Sequence, residues 1–307
     1  MHEDDKMNEL GTMRLLNNDL REPLEEIVSG YVNCKWSVRY ARDMSDYACH
    51  PCAIMSDGAF SVFAKFSEKP ESTKQFEIEK SSLEYLSSHA EIMIPTPIGV
   101  IPLANGTLFV MEALNAIERD RLQWRQIGKA LARIHRVKSD HCGFHMPNFF
   151  GPLEQENTPV KDWVTFYGEY RLRPRLRMAV DSGYLPSSLA AQVETIIRRL
   201  PELCGPEVTP TLLHGDAQQN NFVSTIEGAY VIDPAIHYGN PELDLAYVDY
   251  FQPVPEDVFD AYQEEMLIDP GFARRRSLWR ISGYLAGIAV EGSYYTGMLA
   301  DAVQEYS

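Results

Sequence analysis

Leu213-His214-Gly215-Asp216-Ala217-Gln218-Gln219-Asn220-Asn221, followed by Tyr230-Val231-Ile232-Asp233-Pro234, is the stretch on which the reading of this chain turns. An apolar lead-in runs into a loop whose Asp and Asn stand five apart, and a short apolar strand then ends in a second Asp. Asp and Asn are common in turns, so the loop pair alone carries little weight. With the strand-borne Asp added, the set matches the needs of phosphoryl transfer: a base for a hydroxyl proton, and hard oxygen ligands for Mg²⁺. Asp216 is the expected catalytic base, and Asn221 and Asp233 are the expected metal ligands. His214 is expected to brace the loop rather than to move protons. Asp244, set among apolar residues in Glu242-Leu243-Asp244-Leu245-Ala246, reads as a buried carboxylate that needs hydrogen-bond donors and supports the same loop.

Working outward, the chain changes character near Leu114. Before it, short apolar runs at Trp36–Tyr40, Cys52–Met55, Phe60–Phe66, Ile98–Ile101 and Leu108–Met111 read as strands. Ser56-Asp57-Gly58 and Asn105-Gly106 supply hairpin turns between neighbours. One helix interrupts them, with Phe76, Glu79, Leu83 and Leu86 on one face. After Leu114 the pattern is mainly helical, as Ile127, Leu131 and Ile134 illustrate. The expected fold is therefore α+β and two-lobed, protein-kinase-like. Residues 1–114 form an antiparallel sheet with one helix that binds nucleotide, and residues 115–307 form a mainly helical catalytic and substrate-binding lobe. Lys65 stands among apolar residues at a strand end and requires an anionic partner if it points inward; Glu79 is the natural one. Such a pair holds an ammonium for the α- and β-phosphates. Glu112, Ala113 and Leu114 are the expected hinge, whose backbone groups suit the edge of an adenine.

These residues resemble the fructosamine kinase (ketosamine-3-kinase) family, relatives of the aminoglycoside phosphotransferases. The resemblance runs from about Val62 to Gly292. It includes Phe76-Glu77-Ile78-Glu79, Gly143-Phe144-His145, Gln155-Glu156-Asn157 with Asp162-Trp163, Tyr170 to Leu176, Asp233-Pro234-Ala235, Tyr238-Gly239 and Asp269-Pro270-Gly271-Phe272. It implies ATP and Mg²⁺ as cofactors, with Asp216 as base, Asn221 and Asp233 as metal ligands and Lys65 on the phosphates. It also implies a class of acceptor: sugar adducts of amines, phosphorylated on a sugar hydroxyl. The chain departs from the family where His-Gly-Asp-Leu-Trp-Ser-Gly-Asn is usual, because Ala217, Gln218, Gln219 and Asn220 fill the intervening positions. Asn240 replaces the His of Tyr-Gly-His, and Gly287 to Gly292 replaces an Asn/His-rich stretch. These changes suggest an altered acceptor site. The expected nucleotide loop, Asp43-Met44-Ser45-Asp46-Tyr47-Ala48, lacks glycine, leaving the Ser45 hydroxyl as its donor. Gln155, Asn157, Arg171 and Gln218 are the expected acceptor contacts. Arg171 and Arg175, four apart on an expected helix, share a face that is either solvated or phosphate-binding. Trp163 and Phe166 read as core.

The bulk numbers agree with a soluble enzyme. Of 307 residues, 45% are hydrophobic and 23% charged. The net charge of −16 disfavours nucleic acid and anionic membranes as partners and tolerates a cationic or amine-linked small acceptor. No apolar run is long enough for a membrane span, and Met1–Lys6 is acidic rather than signal-like, so a cytoplasmic monomer is expected. Five scattered cysteines make no disulfide framework, and Cys49-His50-Pro51-Cys52 has no second pair to complete a zinc site. A redox role for Cys49 and Cys52 is the minor alternative. Two other functions stay open from sequence: a phosphotransferase for an antibiotic or biosynthetic intermediate, and a catalytically silent binding protein of the same fold.

Overall fold

The computed structural model describes Leu15, residues 17–45 and residues 50–306. It divides into two compact units, one comprising the described residues through Ser81 with Ile94–Ile117, the other Ser82–Met93 with Glu118 onward.

The first unit is built on a five-stranded antiparallel sheet of order β1-β2-β3-β5-β4. Its strands are β1 (Tyr40–Asp43), β2 (Cys52–Ser56), β3 (Ser61–Ser67), β4 (Pro97–Leu103) and β5 (Gly106–Glu112). A helix precedes the sheet that the hydrophobic runs did not reveal: α1 (Asn18–Val32), started by Asn17, whose side chain accepts from the Leu20 N–H. Leu20, Leu24 and Val28 repeat at intervals of four and enter the same core as Met55, Val62 and Val110. The first expected strand is also displaced. Trp36 and Val38 are buried but lie before β1, because the Trp36 N–H bonds the Ser29 hydroxyl and its indole N–H bonds the Phe60 carbonyl. Those bonds take the place of a strand ladder and turn the segment into a cover for the core. Between β3 and β4 runs α2 (Ser72–Ala90), with Phe76, Leu83 and Leu86 fully buried, as their spacing predicts.

The second unit is mainly helical. α3 (Arg121–His135) opens with a capping box between Asp120 and Gln123 and packs against α8 (Asp257–Gln263). Ile127, Leu131 and Ile134 are completely buried. Three two-stranded ribbons hold the loops: β6 (Asn148–Phe150) with β7 (Leu153–Gln155), β8 (Thr211–Leu213) with β11 (His237–Gly239), and β9 (Phe222–Ser224) with β10 (Ala229–Val231). α4 (Trp163–Phe166) continues through a π-helical turn, Tyr167–Leu172, into α5 (Arg173–Asp181), and α6 (Ser187–Leu203) follows. After β11 come α7 (Glu242–Tyr247), α8, α9 (Phe272–Glu291) and α10 (Thr296–Gln304). α9 is the core helix, and its Arg275 makes a two-pronged contact with the buried Glu242 at 2.5 and 2.9 Å. Trp163 and Phe166 are core, as expected. Among the described residues no helix is long and apolar enough to cross a membrane.

Candidate active site

The quoted stretch folds into a loop gripped at three levels. β8 delivers it, paired to β11 through Leu213 and His237. At Gly215 the chain takes φ +81°, and a Cβ there would lie 2.0 Å from the Ala235 carbonyl oxygen. Only glycine fits such a close approach without moving backbone. A Gly215→Ala variant is therefore expected to lose more than about 2 kcal/mol of stability by denaturant unfolding, since strained φ and backbone overlap act together.

The second level is His214. Its Nδ1 accepts from the Asp216 N–H at 3.2 Å, so the ring proton sits on Nε2, which donates to the Ile232 carbonyl at 3.0 Å. One neutral imidazole thus ties the Asp216 loop to Ile232, which follows β10 and precedes Asp233. Burial holds its pKa below the ordinary value, in keeping with that neutral form. The third level is Asp244, which has no exposed surface. Its Oδ2 accepts from the His214 N–H at 2.7 Å and its Oδ1 from the Gly215 N–H at 2.9 Å. His135 Nε2–H adds a third donor at 3.1 Å, and the Tyr262 hydroxyl lies 2.9 Å from His135 Nδ1. Sequence reading missed His135 and Tyr262; His135 stands more than a hundred positions before both Asp244 and Tyr262.

Asp216 itself is half-buried. Burial, and secondarily the charge of Asp233, push its carboxyl up to about 7. Asn221 donates through Nδ2 to the Asp216 carbonyl at 2.8 Å, which turns its Oδ1 the other way. The main chain links the two arms again, as the Ile232 N–H bonds the Asn221 carbonyl at 3.0 Å. Asp233 is held at φ +52°, a conformation that costs a non-glycine residue about 1–3 kcal/mol and is typical of functional sites. The Asp233 carboxylate and the Asn221 amide oxygen are hard oxygen donors, and a divalent cation between them would also relieve the repulsion between Asp233 and Asp216. Mg²⁺ fits that set, because it keeps waters and phosphate oxygens in its shell and takes few protein ligands.

In the first unit the expected ion pair is formed. Lys65 Nζ lies 2.7 Å from Glu79 Oε1, with both side chains largely buried. Lys65 sits in the central strand, opposite Cys52 on one side and Phe109 on the other. Ser45 has a different occupation from the one expected. Its hydroxyl accepts from the Cys52 N–H at 3.1 Å and lies 3.4 Å from the Cys52 carbonyl, so it closes the β1–β2 turn. Asp46, Tyr47 and Ala48 of that expected loop, and Cys49, lie outside the described residues. At the expected hinge, the N–H groups of Glu112 and Ala113 are committed to the Thr96 and Ser61 carbonyls. Of the three hinge residues, only Leu114 keeps an N–H without a bonded partner among the described residues.

The expected acceptor contacts are drawn inward. Arg171 is 1% exposed and bonds the Glu156 and Tyr170 carbonyls and Asn157 Oδ1 at 3.0, 2.9 and 2.5 Å. Asn157 donates in turn to the Met146 carbonyl. Gln155 spans Asn148 Oδ1 and the Arg175 guanidinium, and Arg175 lies over the Phe150 ring at 4.2 Å. The Arg171–Arg175 face is therefore not solvated: both guanidiniums are buried and hold the 148–157 segment, and the charge of Arg175 also acts on the Asp216 carboxyl. Gln218 caps the 3₁₀ turn Gln219–Asn221 and donates weakly to Asn221 Oδ1 at 3.3 Å. Three of the departures from the family pattern also turn inward. Ala217 is fully buried, Gln219 donates to the Gln252 carbonyl, and Asn240 accepts from the Glu242 N–H.

The fructosamine kinase family model matches residues 25–306. Mouse ketosamine-3-kinase is 28% identical to this chain over 80% of it and 88% of the mouse protein. A chloroplastic protein-ribulosamine 3-kinase from Arabidopsis thaliana is 30% identical over 81% of the chain and 76% of its own length. The crystal structure of a candidate fructosamine-3-kinase from Thermobifida fusca superposes with a TM-score of 0.81 at 26% identity, covering 94% of this chain and 98% of that one.

Proposed function

The chain belongs to the fructosamine kinase family, and from that premise we propose that it phosphorylates, with ATP and Mg²⁺, a sugar hydroxyl of a small ketosamine-type adduct of an amine. The observation that carries this reading is the Asp216–Asn221–Asp233 constellation on a loop held by Asp244 and His214.

Asp216 takes the proton of the acceptor hydroxyl as that oxygen bonds the γ-phosphorus of ATP and the bond from that phosphorus to the β,γ-bridging oxygen breaks, releasing ADP. Its raised affinity for a proton, set by burial and by Asp233, suits a base working near neutral pH. Asn221 Oδ1 and the Asp233 carboxylate would hold Mg²⁺, which neutralises charge on the phosphate oxygens. His214 and Asp244 keep Asp216 and Asp233 in register, so that base and metal ligands move as one body. In the first unit, Lys65 presents its ammonium to phosphate oxygens from the position in which Glu79 fixes it. Leu114 offers its N–H to the adenine edge. The inward partners of Ala217, Gln219 and Asn240 account for those substitutions by local packing and so favour the family's own acceptor class over an antibiotic.

ATP consumption is the direct measurement. A fructosamine and a ribulosamine are expected to turn over, aminoglycosides and free sugars to be poor acceptors, and the Asp216→Asn protein to be the blank. Asp216-dependent turnover confined to an aminoglycoside would overturn the acceptor assignment. Mg²⁺-ATP binding without turnover of any acceptor would favour the silent alternative.

A further inference from the structure

Arg119 stands on the segment that leads into the second unit, two residues past Ile117. Among the described residues its guanidinium does not pair with a carboxylate in the way those of Arg121 and Arg125 do. It lies over the Trp124 ring at 4.8 Å and points back into the catalytic loop. There it makes three contacts. Nη2 donates to the Gln219 carbonyl at 2.9 Å and, closely, to the Phe222 carbonyl, while Nε donates to the Ser224 hydroxyl at 3.2 Å. Gln219 and Phe222 are the residues that bracket the turn bearing Asn221. The planar fork of an arginine reaches these acceptors at once, and a lysine ammonium on its flexible stem cannot reproduce that geometry.

We propose that Arg119 is a positioning residue for the metal site: it clamps the carbonyls on either side of Asn221 and so sets where Asn221 Oδ1 points. The proposal rests on the reading of Asn221 as a metal ligand. The Ile232 N–H on the Asn221 carbonyl, the Gln219 side chain on the Gln252 carbonyl and the pairing of Phe222 with Val231 also hold the turn, and Arg119 adds a side chain that takes carbonyls on both sides of Asn221. Gln218 and Asn221 are joined by a long 3.3 Å contact, and Asn220 is exposed. The Asn221 Nδ2 bond to the Asp216 carbonyl fixes one end of that amide. The clamp fixes the backbone from which the amide springs. Outer groups that orient a ligand typically change metal affinity by about 10–100-fold when they are removed.

The test is metal binding rather than turnover. Mn²⁺ is titrated into the full-length protein saturated with ADP, followed by its paramagnetic resonance signal, and ADP binding without metal is measured by calorimetry. Arg119→Met is expected to weaken Mn²⁺ binding by about 10–100-fold with metal-free ADP binding unchanged. Arg119→Lys, which keeps the charge and guards against a misfolded Met variant, is expected to fall in between. Asn221→Ala is the reference. If Asn221→Ala loses Mn²⁺ affinity while both Arg119 variants bind it like the parent, the clamp has no part in metal placement and the proposal fails. If Mn²⁺ and metal-free ADP affinity fall together in the Arg119 variants, Arg119 merely supports the fold, and the proposal fails likewise. If Asn221→Ala binds Mn²⁺ normally, the ligand assignment beneath the proposal is what falls.

Discussion

Asp216→Asn is expected to lower kcat by about 10²–10⁴-fold while nucleotide binding persists, because a general base is lost and every proposed metal and phosphate contact remains. The substitution is close to isosteric, and the Asp216 main chain, which it leaves intact, anchors both Asn221 and His214. The loop should therefore keep its shape. The expected signature is a collapse of kcat with little change in Mg²⁺-ADP affinity or in Tm. Turnover within a few-fold of the parent would remove Asp216 from the role of base. A parallel loss of nucleotide affinity would place it among the metal ligands instead.

The largest stability effect is expected at Asp244. Its carboxylate is entirely enclosed and receives the N–H groups of His214 and Gly215 and the His135 ring. Asp244→Ala strands three buried donors. At about 1–3 kcal/mol for each unsatisfied group, the loss is on the order of 3–6 kcal/mol, even after the relief of burying a charge. For a protein of this size that corresponds to a fall in Tm of roughly 10 °C or more, read by calorimetry. Activity should fall further than the remaining folded fraction allows, since the N–H groups that shape the catalytic loop lose their anchor. An unchanged Tm would mean that the loop is held by β8 and β11 alone.

Much of this was legible in the chain. The spacing of Asp216, Asn221 and Asp233 is a local pattern, written within one loop and one strand, so the chemistry it demands can be read without knowing the fold. Lys65 and Glu79 were legible for another reason. Each is a charge on an apolar face, and burying one requires the other, which the 2.7 Å contact satisfies. The helix set between the strands likewise follows from hydrophobic period alone, as the buried Phe76, Leu83 and Leu86 illustrate. Even Asp244 betrayed itself through its apolar neighbours.

What stayed hidden depended on partners distant in sequence. α1 was missed because its apolar positions are sparse and its stability comes from packing against the sheet rather than from a strong local pattern. Ser45 looked like a phosphate contact until the Cys52 backbone across the turn claimed its hydroxyl. Arg171 and Arg175 looked like a polar surface, and a π-helical turn together with the 148–157 segment buried them. His135, Tyr262 and Arg119 carry no signature of their own, since a histidine, a tyrosine and an arginine on or beside helices are ordinary residues. Local spacing thus determined which side chains could do the chemistry. Only the tertiary structure decided which polar groups are already spent on one another, because a buried donor must take whatever acceptor the fold brings to it.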